Sequence, residues 1–298
     1  MATLDMELRK KGIGGSEIGA ILGMSEYSSP YKVWLEKTGK ESNGVSNKYT
    51  EAGLILEGAV AEYFQRQTKH RIIKASADQK TVVHPKYQFA LGTPDRRYIA
   101  NARVGKGILE CKTTQKTYDD VSEAWFCQLQ WYLGIMGLMY GAVAWLERGL
   151  DFKYREYEFD REFFEFMIDT ASRFWNENVL KDIPPEPLNT ADVERMFQKH
   201  REGAVIQASA EITVAHEKLV NVKETIKQLE EQEEELTGQI KFYMRDAEAV
   251  MHNGKTLFTW KASKPGTTFD RDRFKLEHPD LWEQYQKAVE GSRRFLVK

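Results

Sequence analysis

The spacing of hydrophobic and polar positions divides the first two hundred residues into alternating helical and strand-like segments. Apolar residues that recur three and four apart, or that cover most faces, predict helices. Short apolar runs bounded by turn residues predict strands. The predicted helices lie at 12–25, 29–40, 48–69, 122–141 and 160–180, and the predicted strands at 70–76, 81–85, 89–93, 95–100, 107–114, 141–149 and 152–159.

After about residue 205 the pattern changes to a long heptad repeat. Apolar residues follow a 3,4 spacing over 212–247, and Glu233 interrupts the seam at one position, which is typical of a coiled coil. Asn253-Gly254 between two apolar runs predicts a hairpin turn. The pattern therefore predicts a mixed α/β (α+β) domain at 1–205 and a coiled-coil-like helix with a hairpin and short helices at 206–298.

Composition and charge narrow the possible functions. The chain has 298 residues, of which 41% are hydrophobic and 30% charged, and its formal net charge is −2. Nucleic-acid binding would therefore need a local basic cleft, because the chain has no overall positive field. The two cysteines, Cys111 and Cys127, suit a reducing compartment and exclude a four-cysteine metal site. Without an apolar run of about 18 residues or an apolar signal core at the start, we expect a cytoplasmic protein.

The segment FALGTPDRRYIANARVGKGILECKTT carries the candidate chemistry. Asp95 follows Pro94, Glu110 comes 15 positions later, and Lys112 lies two beyond Glu110. Alternate residues of a strand share a face, so Glu110 and Lys112 point the same way and Cys111 points the other way. If the two strands pair as a hairpin, their register decides whether Asp95 approaches Glu110. Two adjacent carboxylates repel each other unless a divalent cation lies between them.

Such a site suits metal-assisted cleavage of a phosphodiester. Oxygen ligands with an open coordination sphere favour Mg²⁺ or Mn²⁺, and a lysine beside the cation can orient or help deprotonate the attacking water. The spacing alone is also compatible with a surface hairpin that carries a cross-strand ion pair. The apolar neighbours of Glu110 favour a site, because a charge in an apolar strand is costly unless something pairs with it.

Several motifs together resemble one nuclease family. GTPDRRY followed by LECKTT resembles the PD-(D/E)xK nuclease core. Three further blocks resemble the phage alkaline exonuclease group, the YqaJ-type viral recombinases that are similar to the lambda exonuclease. In chain order, the blocks that flank the core are RKKGIGGSEIGAILGMSEYSSPYKVW, GLILEGAVAEYF and CQLQWYLGIMG, and with the core they span about residues 9–140.

The resemblance implies a role for each residue that matches a family motif. Asp95 and Glu110 would be carboxylate metal ligands, the backbone carbonyl of Cys111 a further ligand, and Lys112 the group that positions the attacking water. Glu57 would be the upstream acid at the metal, with Glu62 as the competing choice. Gln128 and Gln130 would support catalysis or touch the DNA backbone. Because these two glutamines lie two apart on a helix, they face different directions.

A second set of residues would grip the 5′-phosphate of the strand being cut. The resemblance assigns this role to Arg9 and Ser16. A guanidinium, a hydroxyl and the backbone N–H groups of a helix N-terminus together make an anion site. The alternatives are a basic start for Arg9 and a helix N-cap for Ser16. Arg96 departs from the family pattern, in which glycine often follows the aspartate, and would contact DNA or face solvent.

The resemblance implies a Mg²⁺-dependent 5′-to-3′ exonuclease that digests linear double-stranded DNA in phage recombination, with Mn²⁺ as a substitute cation. It further implies a RecT-type single-strand annealing protein as partner and a homo-oligomeric ring, commonly a trimer. Two alternatives stay open at this point. One is an endonuclease on the same core, and the other is a catalytically idle DNA-binding scaffold that assembles through the heptad helix.

Overall fold

The computed structural model describes residues 6–41, 48–73, 81–100, 105–289 and 291–298. The chain divides into two compact units. Unit 1 is Met1–Met196 and unit 2 is Phe197–Lys298, so the division falls about nine residues before the predicted one. Residues 101–104 of the predicted hairpin turn at 101–105 and the end of the predicted strand at 70–76 lie outside the described residues.

A mixed β-sheet forms the centre of unit 1. Its strands are β1 (Arg71–Ile73), β4 (Arg96–Ile99), β5 (Lys106–Thr114), β6 (Tyr140–Glu147) and β7 (Asp151–Glu158), and a separate two-stranded sheet consists of β2 (Val82–Val83) and β3 (Leu91–Gly92). The strand order is β1-β4-β5-β6-β7. Neighbouring strands are antiparallel except β5 and β6, which run parallel. A parallel pair needs a long crossover connection, and a helix supplies it here.

Helices cover both faces of this sheet. They are α1 (Met6–Lys10), α2 (Gly15–Ile21), α3 (Pro30–Lys37), α4 (Lys48–Thr68), α5 (Glu123–Met136), α6 (Arg161–Arg173), which continues into a π-helical turn at Phe174–Val179, and α7 (Thr190–Met196). On one face, Val60 and Phe64 of α4 pack with Leu109. On the other face, Leu129 of α5 packs with Ile108, and α2 and α6 contact α5. The predicted mixed α/β core is therefore confirmed.

The crossover helix α5 ends earlier than predicted. Gly137 adopts a left-handed conformation with φ of 62° and caps the helix, and β6 begins at Tyr140. Left-handed backbone favours glycine because it has no Cβ. The prediction of a helix over 122–141 was wrong in its last five residues, because Gly137 is a C-cap and not an interior residue.

Unit 2 consists of one long helix, a hairpin and two short helices. The elements are α8 (Ala210–Met244), β8 (Ala249–His252), β9 (Lys255–Thr259), α9 (Arg271–Glu277) and α10 (Pro279–Gln284). The hairpin turns at Asn253 and Gly254, whose φ angles are 49° and 76°, as a type I′ turn requires. The heptad prediction extended to Ala247, whereas the helix ends at Met244. Among the described residues, no helix is both long enough and apolar enough to cross a membrane.

Candidate active site

Asp95 and Glu110 meet at the end of the β4–β5 pairing. Arg96 pairs with Leu109, so the residues just beyond them, Asp95 and Glu110, lie side by side. The backbone N–H of Asp95 donates to Glu110 Oε1 at 3.3 Å. Asp95 Oδ2 accepts a hydrogen bond of 2.8 Å from the backbone N–H of Cys111. The register that the sequence left open therefore brings the two carboxyl groups together.

Cys111 offers its backbone to this site and not its thiol. Side chains alternate along a strand, so Cys111 points into the cluster beneath α4, while Glu110 points to the α5 face. Burial raises the pKa of the Cys111 thiol, and the charge of Asp95 adds to the effect. In a strand, the N–H and C=O of one residue point to the same edge. The Cys111 carbonyl therefore faces the edge at which Asp95 lies.

Lys112 and Gln128 complete a closed hydrogen-bonded group around Glu110. Lys112 Nζ lies 3.1 Å from Glu110 Oε2 and donates to Gln128 Oε1 at 2.9 Å. Gln128 Nε2 donates to the same Glu110 oxygen at 2.8 Å. Gln128 is on α5, so the crossover helix fixes the position of the lysine relative to the carboxylates. Each of the three side chains is hydrogen-bonded to the other two.

Burial governs the charge state of this group. The Glu110 side chain is fully buried, and burial together with the nearby Asp95 raises its pKa to about 8, against the opposing effect of Lys112. Burial acts to lower the pKa of Lys112, but the charges of Glu110 and Asp95 outweigh it, and the pKa is raised. The lysine therefore remains an ammonium group and a hydrogen-bond donor.

The donor set at Asp95 and Glu110 fits a hard divalent cation. Within the part of the chain that the structure describes, no three His, Cys, Asp or Glu side chains are grouped to hold a metal ion. Mg²⁺ does not need three, because it keeps several waters and commonly uses one or two carboxylates. Two carboxylates and one carbonyl at an open strand edge match that preference.

Of the two upstream acids, the structure brings Glu57 towards the site and leaves Glu62 outside it. Glu57 forms an ion pair with Arg96, the residue after Asp95. Burial raises the pKa of Glu57, and the charge of Asp95 adds to the increase. Glu62 is exposed and pairs with Arg66 one helical turn further along α4. Arg96, whose contacts the sequence left open, therefore binds the carboxylate of Glu57.

The prediction that Gln130 belongs to the catalytic group is not supported by its contacts. Its side chain is fully buried. Gln130 Nε2 donates to the Glu158 carbonyl at 2.9 Å, and Oε1 accepts from the Asp160 N–H at 2.9 Å. Both ends of the amide thus satisfy the backbone where β7 leads into α6. Gln130 has a structural role because the two glutamines face different sides of α5.

Arg9 and Ser16 lie together at the start of α2. Arg9 Nη2 donates to Ser16 Oγ at 3.3 Å. The prediction of Ser16 as N-cap was wrong, because Gly14 holds that position and its N–H donates to Glu17 Oε2 at 2.7 Å. The Ser16 side chain is exposed, and its hydroxyl does not cap the helix. It remains available to a ligand.

Two charged residues that the sequence did not single out support Arg9. Lys37 Nζ lies 2.7 Å from Glu17 Oε1 and donates to the Arg9 carbonyl at 2.7 Å. Glu17 Oε1 lies farther from Arg9 Nη2, at 4.0 Å, so the main ion pair of Glu17 is with Lys37. Glu17 lies in the first turn of α2 and Lys37 in the last turn of α3. The sequence does not predict their contact, because it depends on how the two helices pack.

Tyr132 links this pair to the carboxylates and was also missed. A Cβ atom at Gly15 would lie 2.5 Å from its ring, so α2 rests directly on Tyr132. Gln128 Nε2 approaches the Tyr132 hydroxyl at 3.4 Å. The i, i+4 spacing of Gln128 and Tyr132 on α5 could have indicated the pair. Three contacts, Gly15–Tyr132, Tyr132–Gln128 and Gln128–Glu110, thus connect the start of α2 to Glu110.

Comparison of the sequence with known proteins identifies relatives of this chain. A model described as the YqaJ-like viral recombinase domain matches residues 6–139. The uncharacterized protein YqaJ of Bacillus subtilis (strain 168) is 32% identical over 305 residues, which cover 97% of this chain and 92% of that protein. This chain belongs to the YqaJ-like viral recombinase family. The alignment to the Bacillus protein extends through unit 2, so this YqaJ-family relative shares both units.

Two solved structures are similar to this member of the YqaJ-like family. An alkaline exonuclease (LHK-Exo) from Laribacter hongkongensis has a TM-score of 0.47 and 14% identity, covering 60% of this chain and 92% of that chain. A phage related exonuclease from Haemophilus somnus 129PT has a TM-score of 0.43 and 12% identity, covering 57% and 96%. The family assignment itself rests on the two sequence matches.

Proposed function

We propose that this chain is a Mg²⁺-dependent 5′-to-3′ exonuclease that digests linear double-stranded DNA during phage or prophage recombination, with Mn²⁺ as a substitute cation. Membership in a viral recombinase family supports a nuclease that acts in recombination. The dependence on a cation, the direction of digestion and the requirement for a DNA end are finer proposals. The carboxylates and Lys112 support the first of these, and the Arg9–Ser16 pair supports the other two.

One observation carries the nuclease assignment. The backbone N–H of Asp95 donates to the Glu110 carboxylate, and the Asp95 carboxylate accepts from the backbone N–H of Cys111. Lys112 lies 3.1 Å from Glu110 on the same strand face. A structural ion pair would need one carboxylate for one lysine. This site has two carboxylates, one of them fully buried, beside a single lysine. Two carboxylates beside one lysine fit a divalent cation, and the positive charge of the bound cation would in turn attract the phosphate of a substrate.

The residues divide the work of hydrolysis between them. Asp95, Glu110 and the Cys111 carbonyl would hold the cation, and Glu57 on α4, which is paired with Arg96, would be the upstream acid at the metal. When bound, the cation polarises the phosphoryl oxygens and lowers the pKa of a bound water. Lys112 orients the attacking water with its ammonium group. Gln128 keeps Lys112 at its place by accepting one of its hydrogen bonds.

Arg9 and Ser16 support attack from the 5′ end. Their guanidinium and hydroxyl lie next to each other, and the start of α2 is connected to Glu110 through Tyr132 and Gln128. A phosphate on this pair would place the first phosphodiester of the strand near the carboxylates. Cleavage there releases a mononucleotide, leaves a new 5′-phosphate and lengthens the 3′ overhang. Lys37 supports this role because it neutralises Glu17, which would otherwise repel the phosphate.

The proposal includes two associations that follow from the family resemblance. A 3′ overhang is the substrate of a single-strand annealing protein, so a RecT-type protein is the expected partner. A homo-oligomeric ring, such as a trimer, would enclose the duplex and keep the enzyme on its substrate. Both associations can be measured by sedimentation of the purified chain alone, with DNA and with the annealing protein.

The decisive experiment follows DNA digestion in Mg²⁺ by the wild type, Lys112→Ala and Lys106→Ala. The substrates are linear duplex with a 5′-phosphate, linear duplex with a 5′-hydroxyl, and covalently closed circles. We expect the wild type to release mononucleotides from linear DNA and to leave circles intact. Lys112→Ala should lose about 10²-fold or more in rate. Lys106 lies on the same strand but is exposed at its other end, so Lys106→Ala should retain activity.

Each alternative has its own outcome in this assay. Equal degradation by the wild type and Lys112→Ala discards Lys112 as a catalytic residue and with it the assignment of cleavage to this site. Cleavage of closed circles shows an endonuclease, and binding of DNA with no degradation shows a scaffold. In a parallel arm, Arg9→Gln should reduce the preference for the phosphorylated end at least about tenfold, with Arg66→Gln as the control. An unchanged preference discards the Arg9–Ser16 role and leaves the nuclease assignment intact.

A further inference from the structure

The long helix of unit 2 carries an apolar seam that is open in a single chain. Its a positions begin at Ile212 and its d positions at Ala215, each repeating every seven residues along α8. Six large side chains of the seam are between 49% and 77% exposed: Ile212, Val222, Ile226, Leu229, Leu236 and Tyr243. At 1.5 Å per residue the seam is about 46 Å long. An exposed apolar surface of this length marks an interaction site.

The charges beside the seam disfavour a parallel pairing of two copies. In a parallel coiled coil, a g position faces the next e position of the other chain. Lys218 occupies a g position and Lys223 the following e position. A parallel dimer would therefore place Lys218 of each copy against Lys223 of the other, which is a repulsive contact on both sides of the seam.

An antiparallel pairing makes the same charges complementary. When Ile226 of one copy lies level with Leu229 of the other, every a position meets a d position. In this register Lys223 faces Glu230 of the second copy. Two-fold symmetry repeats the contact, so the dimer gains two attractive pairs. The flanks of the seam are thus complementary to themselves in one orientation and repulsive in the other.

The geometry points to α8 as a self-association surface that joins two copies of this chain in an antiparallel two-stranded coiled coil centred between Ile226 and Leu229. This inference goes beyond the proposed nuclease activity and does not rest on it. Glu233 is the weak point, because the register buries it against Val222 of the second copy. A polar residue at an a position lowers stability while it helps to specify the partner.

The first test uses the weak point of the seam. Sedimentation of the full chain over a range of concentrations gives the dissociation constant of the pairing for the wild type, Glu233→Leu and Glu234→Leu. Glu233→Leu should tighten the pairing at least about tenfold, because it removes a charge from a buried layer. Glu234 lies one residue outside the seam and gives the matched control, which should stay within about threefold. Any association through unit 1 is common to all three proteins.

The second test fixes the orientation. Lys223→Glu and Glu230→Lys should each weaken the pairing about tenfold at low salt, since each replaces two attractive contacts with two repulsive ones. The double variant should return to within about threefold of the wild type, and the differences should shrink as salt is raised. Tighter pairing by Lys223→Glu would overturn the antiparallel register in favour of a parallel one. No response to Glu233→Leu, or a mass independent of all these changes, would overturn self-association through α8.

Discussion

The backbone N–H of Cys111 donates to Asp95 Oδ2 at 2.8 Å. Pairing between β4 and β5 ends at Leu109, so this N–H has no partner on β4. The Asp95 carboxylate takes the place of the missing strand and is held against the edge of β5. One hydrogen bond thus ends the sheet pairing and fixes a candidate metal ligand beside Glu110.

The two glutamines of α5 separate catalysis from stability. Gln128→Leu removes the contact that holds Lys112 beside Glu110, so we expect the rate on linear DNA to fall about tenfold or more. Gln130→Leu leaves the Glu158 carbonyl and the Asp160 N–H without their partner. The free energy of unfolding should then fall by about 1–3 kcal/mol, with the rate per folded molecule unchanged. Urea unfolding and initial rates measure the two effects, and a rate loss in Gln130→Leu would contradict its structural role.

Glu57 and Glu62 make a matched pair on one helix. Glu57→Gln removes a half-buried carboxylate near Asp95, and we expect the Mg²⁺-dependent rate to fall about tenfold. Glu62→Gln breaks an exposed pair with Arg66 and should leave the rate unchanged and the stability within about 0.5 kcal/mol. Rates measured over a range of Mg²⁺ concentrations would show the loss as a weaker affinity for the cation, so that more Mg²⁺ is needed for half of the maximal rate. Equal rates for the two variants would remove Glu57 from the site.

The buried carboxyl of Glu110 makes cation binding depend on pH. Its pKa is raised from 4.5 to about 8 by burial and by Asp95. The stability that comes from the bound proton is therefore fully present below about pH 4.5 and is lost as the pH rises through about 8. A cation must displace this proton, so its affinity should rise up to about tenfold per pH unit below pH 8 and then level off. Calorimetric titration of Mg²⁺ without DNA measures this, and an affinity independent of pH would contradict it.

The contact between α2 and Tyr132 can be tested through two glycines. A Cβ at Gly15 would meet the Tyr132 ring at 2.5 Å, so Gly15→Ala should lower the free energy of unfolding by about 1–3 kcal/mol. It should also reduce the preference for a 5′-phosphate, because the Arg9–Ser16 pair shifts with the helix. Gly58, inside α4, has open space around a Cβ, and Gly58→Ala should be neutral or stabilising by up to about 1 kcal/mol. Chemical unfolding of both variants decides the first point, and similar stabilities would show that α2 does not rest on Tyr132.

Local patterns predicted the elements of the fold well. The strands β4 and β5, the crossover helix and the Asn253-Gly254 hairpin all follow from alternation, periodicity and turn chemistry. The errors fell at boundaries, where one residue decides. Gly137 ends α5 because it can adopt a left-handed backbone, and Gly14 replaces Ser16 as N-cap because Glu17 reaches back to its N–H.

The site was predicted less completely, because its geometry depends on long-range packing. Asp95 and Glu110 were recognised, but only the register of β4 against β5 brings them together. Lys37 and Tyr132 were missed because their roles depend on contacts between helices that no local pattern encodes. The family motif includes Gln130, whereas in the structure this residue lies on a different face of α5 from Gln128 and binds the backbone of Glu158 and Asp160.

The most direct test of the cation site is the Mg²⁺-dependent digestion of 5′-phosphorylated linear duplex by Asp95→Asn. The asparagine oxygen can still accept from the Cys111 N–H, so the fold should be kept while the ligand loses its charge. We predict a rate at least about 10²-fold below the wild type, with thermal stability little changed and with full activity in the exposed control Asp151→Asn. Digestion by Asp95→Asn at the wild-type rate would contradict the claim that Asp95 and Glu110 hold the cation for cleavage.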